Sequence, residues 1–285
     1  MIHSNSEGDI YIEEMPLLLV HLREEEKGAD ARLSEVLSYA LDGYAYETAM
    51  EISAFEDYVN RWRRLEKTQN RKNPVQGRIL FAVPLGTSGI NLELYRLIRF
   101  LREHPDFLNG FVGGLLVDSE NDLYSKSAAK DLVFAANCAG CAFVGRPLVE
   151  GTRTLSNYTI VSNNLGTDLM GAYRESAAGL VKEVLGTDCV RKKCPKVLVL
   201  HASSHKTSNT YAIWDRVKEQ LPEMEIREIG LRNGTLSDCA GCPYKMCLHF
   251  GEQGSCFYGG VMVEDVYPAV READAIVMLC PNYND

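Results

Sequence analysis

Residues 202–210 read Ala-Ser-Ser-His-Lys-Thr-Ser-Asn-Thr, between an apolar run (KVLVLH, 196–201) and a helical pattern over 209–221. Small hydroxyl residues at such a junction leave backbone N–H groups exposed at the positive end of the following helix. That arrangement can cradle a phosphate dianion. Ser203, His205, Thr207, Ser208, Asn209 and Thr210 are the residues that would surround it. Ser208 or Asn209 has a second role open to it, as the cap of the helix.

Cysteines supply the other chemistry. Cys239, Cys242, Cys247 and Cys256 fall within one connection. Four thiolates at short spacing suit a tetrahedral zinc or an iron–sulfur cluster, and free thiols are the third reading. His249 is a spare ligand or simply a loop residue. Cys138 and Cys141 close an apolar helix and Cys280 lies in an apolar run, so all three read as small hydrophobes. Asp118-Ser119-Glu120 and Gly145-Arg146-Pro147 each follow an apolar run. At the carboxyl edge of a parallel sheet they would face a ligand, Arg146 as an anion contact; a solvated turn is the plainer alternative.

The elements that must position these residues follow from periodicity. Apolar residues at helical spacing mark 29–41 and, as a longer helix, 46–67; the polar stretch 69–77, broken by Pro74, reads as a linker. From residue 78 short apolar runs at 78–84, 111–117 and 142–144 alternate with helical patterns after Asn91, over 125–139 and over 169–185. Strand–helix alternation of this kind implies a parallel sheet with helices on both faces. A second linker, 187–195, precedes a restart of the same grammar: strand 196–201, helix 209–221, strand 226–229, helix 264–273, strand 275–280. The two stretches can be superimposed at an offset of 118, Arg78 on Lys196 and Asn91 on Asn209, as a degenerate duplication or as two unrelated strand–helix units.

Composition bounds the function. The chain has 285 residues, 46% of them hydrophobic and 24% charged, as expected of a core-forming protein. A net charge of -9 argues against nucleic acid as a partner, which needs a basic face. The apolar stretch 15–20 is too short to span a bilayer, and no basic-then-apolar leader opens the chain, so a cytoplasmic location is expected. In that reducing setting nine cysteines are thiols or ligands rather than a disulfide framework.

The order VLVL, Ala-Ser, His205, Ser208-Asn209-Thr210 and helix resembles the opening of NADPH-dependent FMN reductases and iron–sulfur flavoproteins. The likeness continues through Ser237-Asp238-Cys239-Ala240-Gly241-Cys242, Glu264-Asp265 and Ala273-Asp274-Ala275-Ile276-Val277 to Pro281-Asn282-Tyr283, over 196–285. The resemblance implies a flavodoxin-like domain. It implies FMN with its phosphate on the 203–210 loop and its ring beside Pro281, Asn282, Tyr283 and Asn284, NAD(P)H as co-substrate, and a 4Fe-4S cluster as one fate of the four cysteines. Two departures stand out: Ala202 replaces the family's Gly, and His205 its Arg. An imidazole loses its charge near ~pH 6.5, so phosphate affinity should weaken as pH rises.

The expected architecture is therefore tandem flavodoxin-like α/β units. A helical N-terminal segment (1–75) precedes a possibly degenerate unit (76–188) and an FMN reductase unit (196–285) of which only the first half is present. Such a half pocket would hold FMN weakly, and a fragment of a longer protein is the favoured explanation. The expected activity is NAD(P)H-dependent electron transfer through flavin to a small-molecule or redox-protein acceptor by a homo-oligomer; no side chain is nominated as catalytic. The competing reading is a non-catalytic cysteine-rich metal, electron-transfer or scaffold module with a relic flavin site.

Overall fold

A computed structural model describes residues 2–4, 10–12, 15–21, 23, 27–68, 76–189, 192–202, 208–231 and 236–280. The chain divides into two units, 1–189 and 190–285. In the first, β1 (Ile2–Ser4) and β2 (Ile10–Ile12) form a small antiparallel ribbon. There follow β3 (Leu17–His21), α1 (Lys27–Ala40), β4 (Tyr46–Ala49), α2 (Ile52–Thr68), β5 (Gly77–Leu85), α3 (Leu92–Glu103), β6 (Phe111–Ser119), α4 (Ser125–Cys138) and β7 (Ala142–Gly151). A 3₁₀ turn, α5 (Thr159–Leu165) and α6 (Leu169–Gly186) complete the unit.

Its main sheet is parallel throughout, in the order β4-β3-β5-β6-β7. Numbered by sequence within that sheet the order is 2-1-3-4-5, the flavodoxin-like doubly wound arrangement. Side chains alternate between its two faces. Leu18, Val20, Ile79, Phe81, Leu115 and Val117 pack with α2, α3 and α4. Leu17, Leu19, Leu80, Ala82 and Leu116 pack with α1 and α6. Each such side chain taken fully out of water contributes about 1.5–3 kcal/mol.

The expectation of a helical segment over 1–75 is corrected here. Leu17–His21 is a fully buried strand, and Tyr46–Ala49 leaves the helical pattern to pair with it as the sheet's edge. Periodicity misled because Tyr46 and Met50 fall at helical spacing, while Tyr and Thr favour a half-exposed edge strand. The strand expected at 142–144 runs to Gly151 through an irregularity, with Gly113 opposite Phe143 and Leu115 opposite Leu148. Gly145 (φ 60°) and Pro147 lie within that irregularity, where a left-handed residue and a missing donor are tolerated. Gly145-Arg146-Pro147 is thus inside a strand rather than in a loop facing a ligand.

The second unit carries β8 (Lys196–His201), α7 (Asn209–Lys218), β9 (Glu225–Gly230), α8 (Tyr244–Gly251), a π-helical turn (Met262–Val266), α9 (Tyr267–Glu272) and β10 (Ala275–Leu279). Its strands are parallel, in the order β10-β8-β9. Val197, Val199, Tyr211 and Trp214 form its core, with Leu221, Ile226, Val277 and Leu279 against them. α8 was not anticipated, because its cysteine, histidine and aromatic content masks any apolar stripe. Among the described residues no helix is long and apolar enough to cross a membrane.

The two units share a pattern, but not at the offset of 118. β5 is third in its sheet by sequence, whereas β8 is first, so Arg78 and Lys196 open non-equivalent strands. The equivalent of β8 is β3. Leu17 pairs with Tyr46 as Val197 pairs with Ile226, a shift of 180 residues on both strands. Likewise His21 sits opposite Ala82, and His201 opposite Leu279.

Gly114 in β6 is a point of close approach. A Cβ there would lie 2.7 Å from Val184 Cγ2 and 2.9 Å from Leu180 Cδ1, both on α6. Gly114→Val should therefore lower the stability of the N-terminal unit by at least about 1–3 kcal/mol, seen as an earlier urea midpoint with an unchanged slope.

Candidate functional site

β8 is the central strand of its sheet, and the chain passes first to β9 on one side and then to β10 on the other. The space outside the carboxyl ends of β8 and β10 is thus a topological switch point, where parallel α/β sheets receive ligands. His201 ends β8 and lies in register with Leu279, which ends β10. Ala202 and Cys280, the next residues, therefore leave the sheet from adjacent positions.

Ser208, Asn209 and Thr210 stand at the start of α7. The Ser208 hydroxyl oxygen accepts from the Tyr211 N–H at 3.2 Å, so Ser208 and not Asn209 is the cap. Its hydroxyl hydrogen is still available to donate. Asn209 is exposed and Thr210 half-buried in the first turn, where backbone N–H groups have no helical acceptor. Ser203, His205, Thr207, Pro281, Asn282, Tyr283 and Asn284 lie outside the described residues.

What holds α7 in place was missed from sequence. Glu228, in β9, accepts from Trp214 Nε1 at 3.1 Å, from Lys218 Nζ at 2.8 Å and from the Tyr211 hydroxyl. Burial pushes the Glu228 carboxyl up, but the hydrogen bonds from Lys218, Tyr211 and Trp214 outweigh it and hold the pKa at about 2. The buried His201 ring meets Tyr211 edge-on, with centroids 5.0 Å apart. At the opposite end Asp274 accepts from the Lys196 N–H at 3.0 Å and pairs with Lys192 at 2.6 Å, fixing the start of β8 beside β10. A carboxylate in the middle of EIREIG, ten to seventeen residues from the side chains that answer it, was the available signal.

The cysteine expectation is not met. Cys239 and Cys247 are exposed and Cys242 and Cys256 half-buried. Among the described residues no group of three or more His, Cys, Asp or Glu is gathered to hold a metal. Cys247 rides on α8, whereas Cys239 and Cys242 precede that helix and Cys256 follows it. Close spacing in sequence is not convergence when a rigid helix intervenes. The described structure does not gather these residues into a zinc or iron–sulfur site. Cys141 is buried as expected, with burial pushing its thiol up; Cys138 and Cys280 are exposed, contrary to their reading as core.

Residues 195–285 match the family model of NADPH-dependent FMN reductase. No curated protein and no solved structure matches the chain. The match spans the second unit from the residue before β8 onward, and so includes both segments that leave the switch point.

Because the Glu228 pKa is depressed on folding, its contribution is fully present above the ordinary value of 4.5 and is lost as pH falls toward about 2. Glu228→Gln should destabilise the C-terminal unit by about 1–3 kcal/mol at pH 7. It should also flatten the unit's stability between pH 4.5 and about 2. Thermal unfolding followed across that range checks both.

Proposed function

We propose that the protein is an NAD(P)H-dependent flavin oxidoreductase whose FMN lies at the carboxyl edge of the C-terminal unit. The observation that carries this reading is the register of His201 with Leu279, the last residues of β8 and β10, at the switch point of the sheet. The family match over 195–285 supports the same cofactor.

The flavin supplies the hydride and electron chemistry. The chain's own residues bind and orient it. Ser203, Ser208 and Thr210 offer hydroxyl donors, and the first turn of α7 offers backbone N–H groups to the phosphate. Glu228 fixes α7 against β9, so those donors are held before the ligand arrives, which reduces the ordering cost of binding. Pro281, Asn282 and Tyr283 line one side of the ring. The acceptor is a small molecule or a redox protein, and the protein works in the cytoplasm as a homo-oligomer.

Ser203→Glu with Asn209→Glu places two carboxylates against the phosphate and should abolish FMN retention, while Trp fluorescence reports an intact fold. Unchanged FMN affinity in this double variant would remove the assignment. A second measurement probes His205. FMN affinity should fall as pH rises through ~6.5 and the imidazole loses its proton, and His205→Arg should make it independent of pH over that range.

A further inference from the structure

The N-terminal unit has the same switch point as the C-terminal one, and a more complete sheet around it. β3 is its first strand by sequence in the main sheet, flanked by β4 and β5, and His21 occupies the position of His201. Topology alone would therefore give this unit a ligand crevice. The side chains at that edge are engaged with one another instead.

Asp118, at the end of β6, is completely buried. Arg32 reaches it from α1 with Nη2 at 2.7 Å and Nε at 2.9 Å, and the same guanidinium donates to the Ser119 carbonyl at 3.0 Å and the Arg153 carbonyl at 3.1 Å. One side chain thus ties α1 to the end of β6 and to the loop after β7. Gly151 completes the closure: a Cβ there would lie 2.7 Å from Asp118 Oδ2 and 2.8 Å from the Tyr173 ring. Burial lifts the Asp118 carboxyl above its ordinary range, with the Arg32 hydrogen bonds opposing it.

Two of the neighbouring strand ends are occupied in the same way, whereas His21 and Asp30 approach without hydrogen-bond geometry. His21 Nε2 lies 2.9 Å from Asp30 Oδ1, and burial favours its neutral form despite that carboxylate. Asn91 is buried after β5, donating to the Pro84 carbonyl at 2.8 Å and accepting from the Leu94 N–H at 2.8 Å. Glu150, near the end of β7, accepts from the Ser125 hydroxyl.

Charge points the same way. The connection between β3 and α1, equivalent to the 202–208 loop, contains Arg23, Glu24, Glu25 and Glu26 where the other has Ser, Thr, His and Lys. As a sequence, that connection is net acidic, which disfavours a phosphate dianion.

We infer that the N-terminal unit is a flavin-free counterpart of the C-terminal unit, its ligand crevice closed by the Arg32–Asp118 clamp, so that each chain takes at most one FMN. The count of one rests on the function proposed above; the closure of the N-terminal crevice does not.

The test counts flavin per chain by equilibrium dialysis against saturating FMN, so that weakly held flavin is counted. Wild type, Ser203→Glu/Asn209→Glu, Arg32→Ala and the milder Arg32→Lys are compared. The expected counts are no more than one for wild type and none for the double variant; the Arg32 variants report on the clamp through their stability. Arg32→Ala should also lower the melting temperature of the N-terminal unit by roughly 5–10 °C, because a buried carboxylate loses its partner. That loss should shrink at lower pH as Asp118 takes a proton. Two flavins on the wild type overturn the inference, as does flavin that persists in the double variant. A wild type that takes no FMN at all removes the proposed function while leaving the N-terminal crevice closed, so the two failures are told apart.

Discussion

Both units are built around a buried strand that is hydrogen-bonded in parallel on each edge, β3 in one and β8 in the other. Parallel neighbours cannot be joined by a tight turn, so every connection must cross over one face of the sheet, usually as a helix. Crossovers on both faces explain the two apolar layers on β3, β5 and β6. They also direct all the strand carboxyl ends, and the loops that follow them, to one edge. Where the first and third strands diverge at that edge, no helix covers the gap, and ligand chemistry becomes available there.

The same edge has opposite fates in the two units. In the N-terminal unit charged and polar groups at the strand ends find partners within the unit: Arg32 with Asp118, Glu150 with Ser125. Low dielectric makes an unpaired charge there costly, so closure by a bidentate guanidinium satisfies several acceptors at once. In the C-terminal unit the comparable polar network sits away from the edge. Glu228 and its three donors join α7 to β9 and hold the first turn of α7, which Ser208 caps, at the end of the sheet. One network fills a crevice, whereas the other holds its frame.

Cysteine spacing shows how far proximity in sequence can be trusted. Cys239, Cys242, Cys247 and Cys256 lie closer in sequence than many metal ligand sets, yet they are not gathered. A helix of eight residues, Tyr244–Gly251, stands between the first pair and the last and carries one cysteine on its own surface. Clustering requires the backbone to turn back on itself, and spacing says nothing about that.

The three strands of residues 196–280 and the capped start of α7 were legible because local rules and the global fold agree there. KVLVLH and AIVML are short apolar runs bounded by polar junctions, Ser208 is an effective cap, and the small hydroxyl loop has few roles besides phosphate binding and capping. Sequence periodicity also located β5, β6, α3, α4 and α6. It failed at Tyr46–Ala49, where a four-residue edge strand is too short to show an alternation and is made by pairing with β3. It failed again over the repeat, because the first strand of each sheet is identified by its neighbours and not by its composition. The Arg32–Asp118 clamp joins residues 86 apart, and no local pattern marks either as the other's partner. Local propensity and periodicity determined which segments are strands, helices and caps, since those depend on residues a few positions away. Strand order, the partners of buried charges and the separation of the cysteines were decided by tertiary packing, which brings together residues that the sequence keeps far apart.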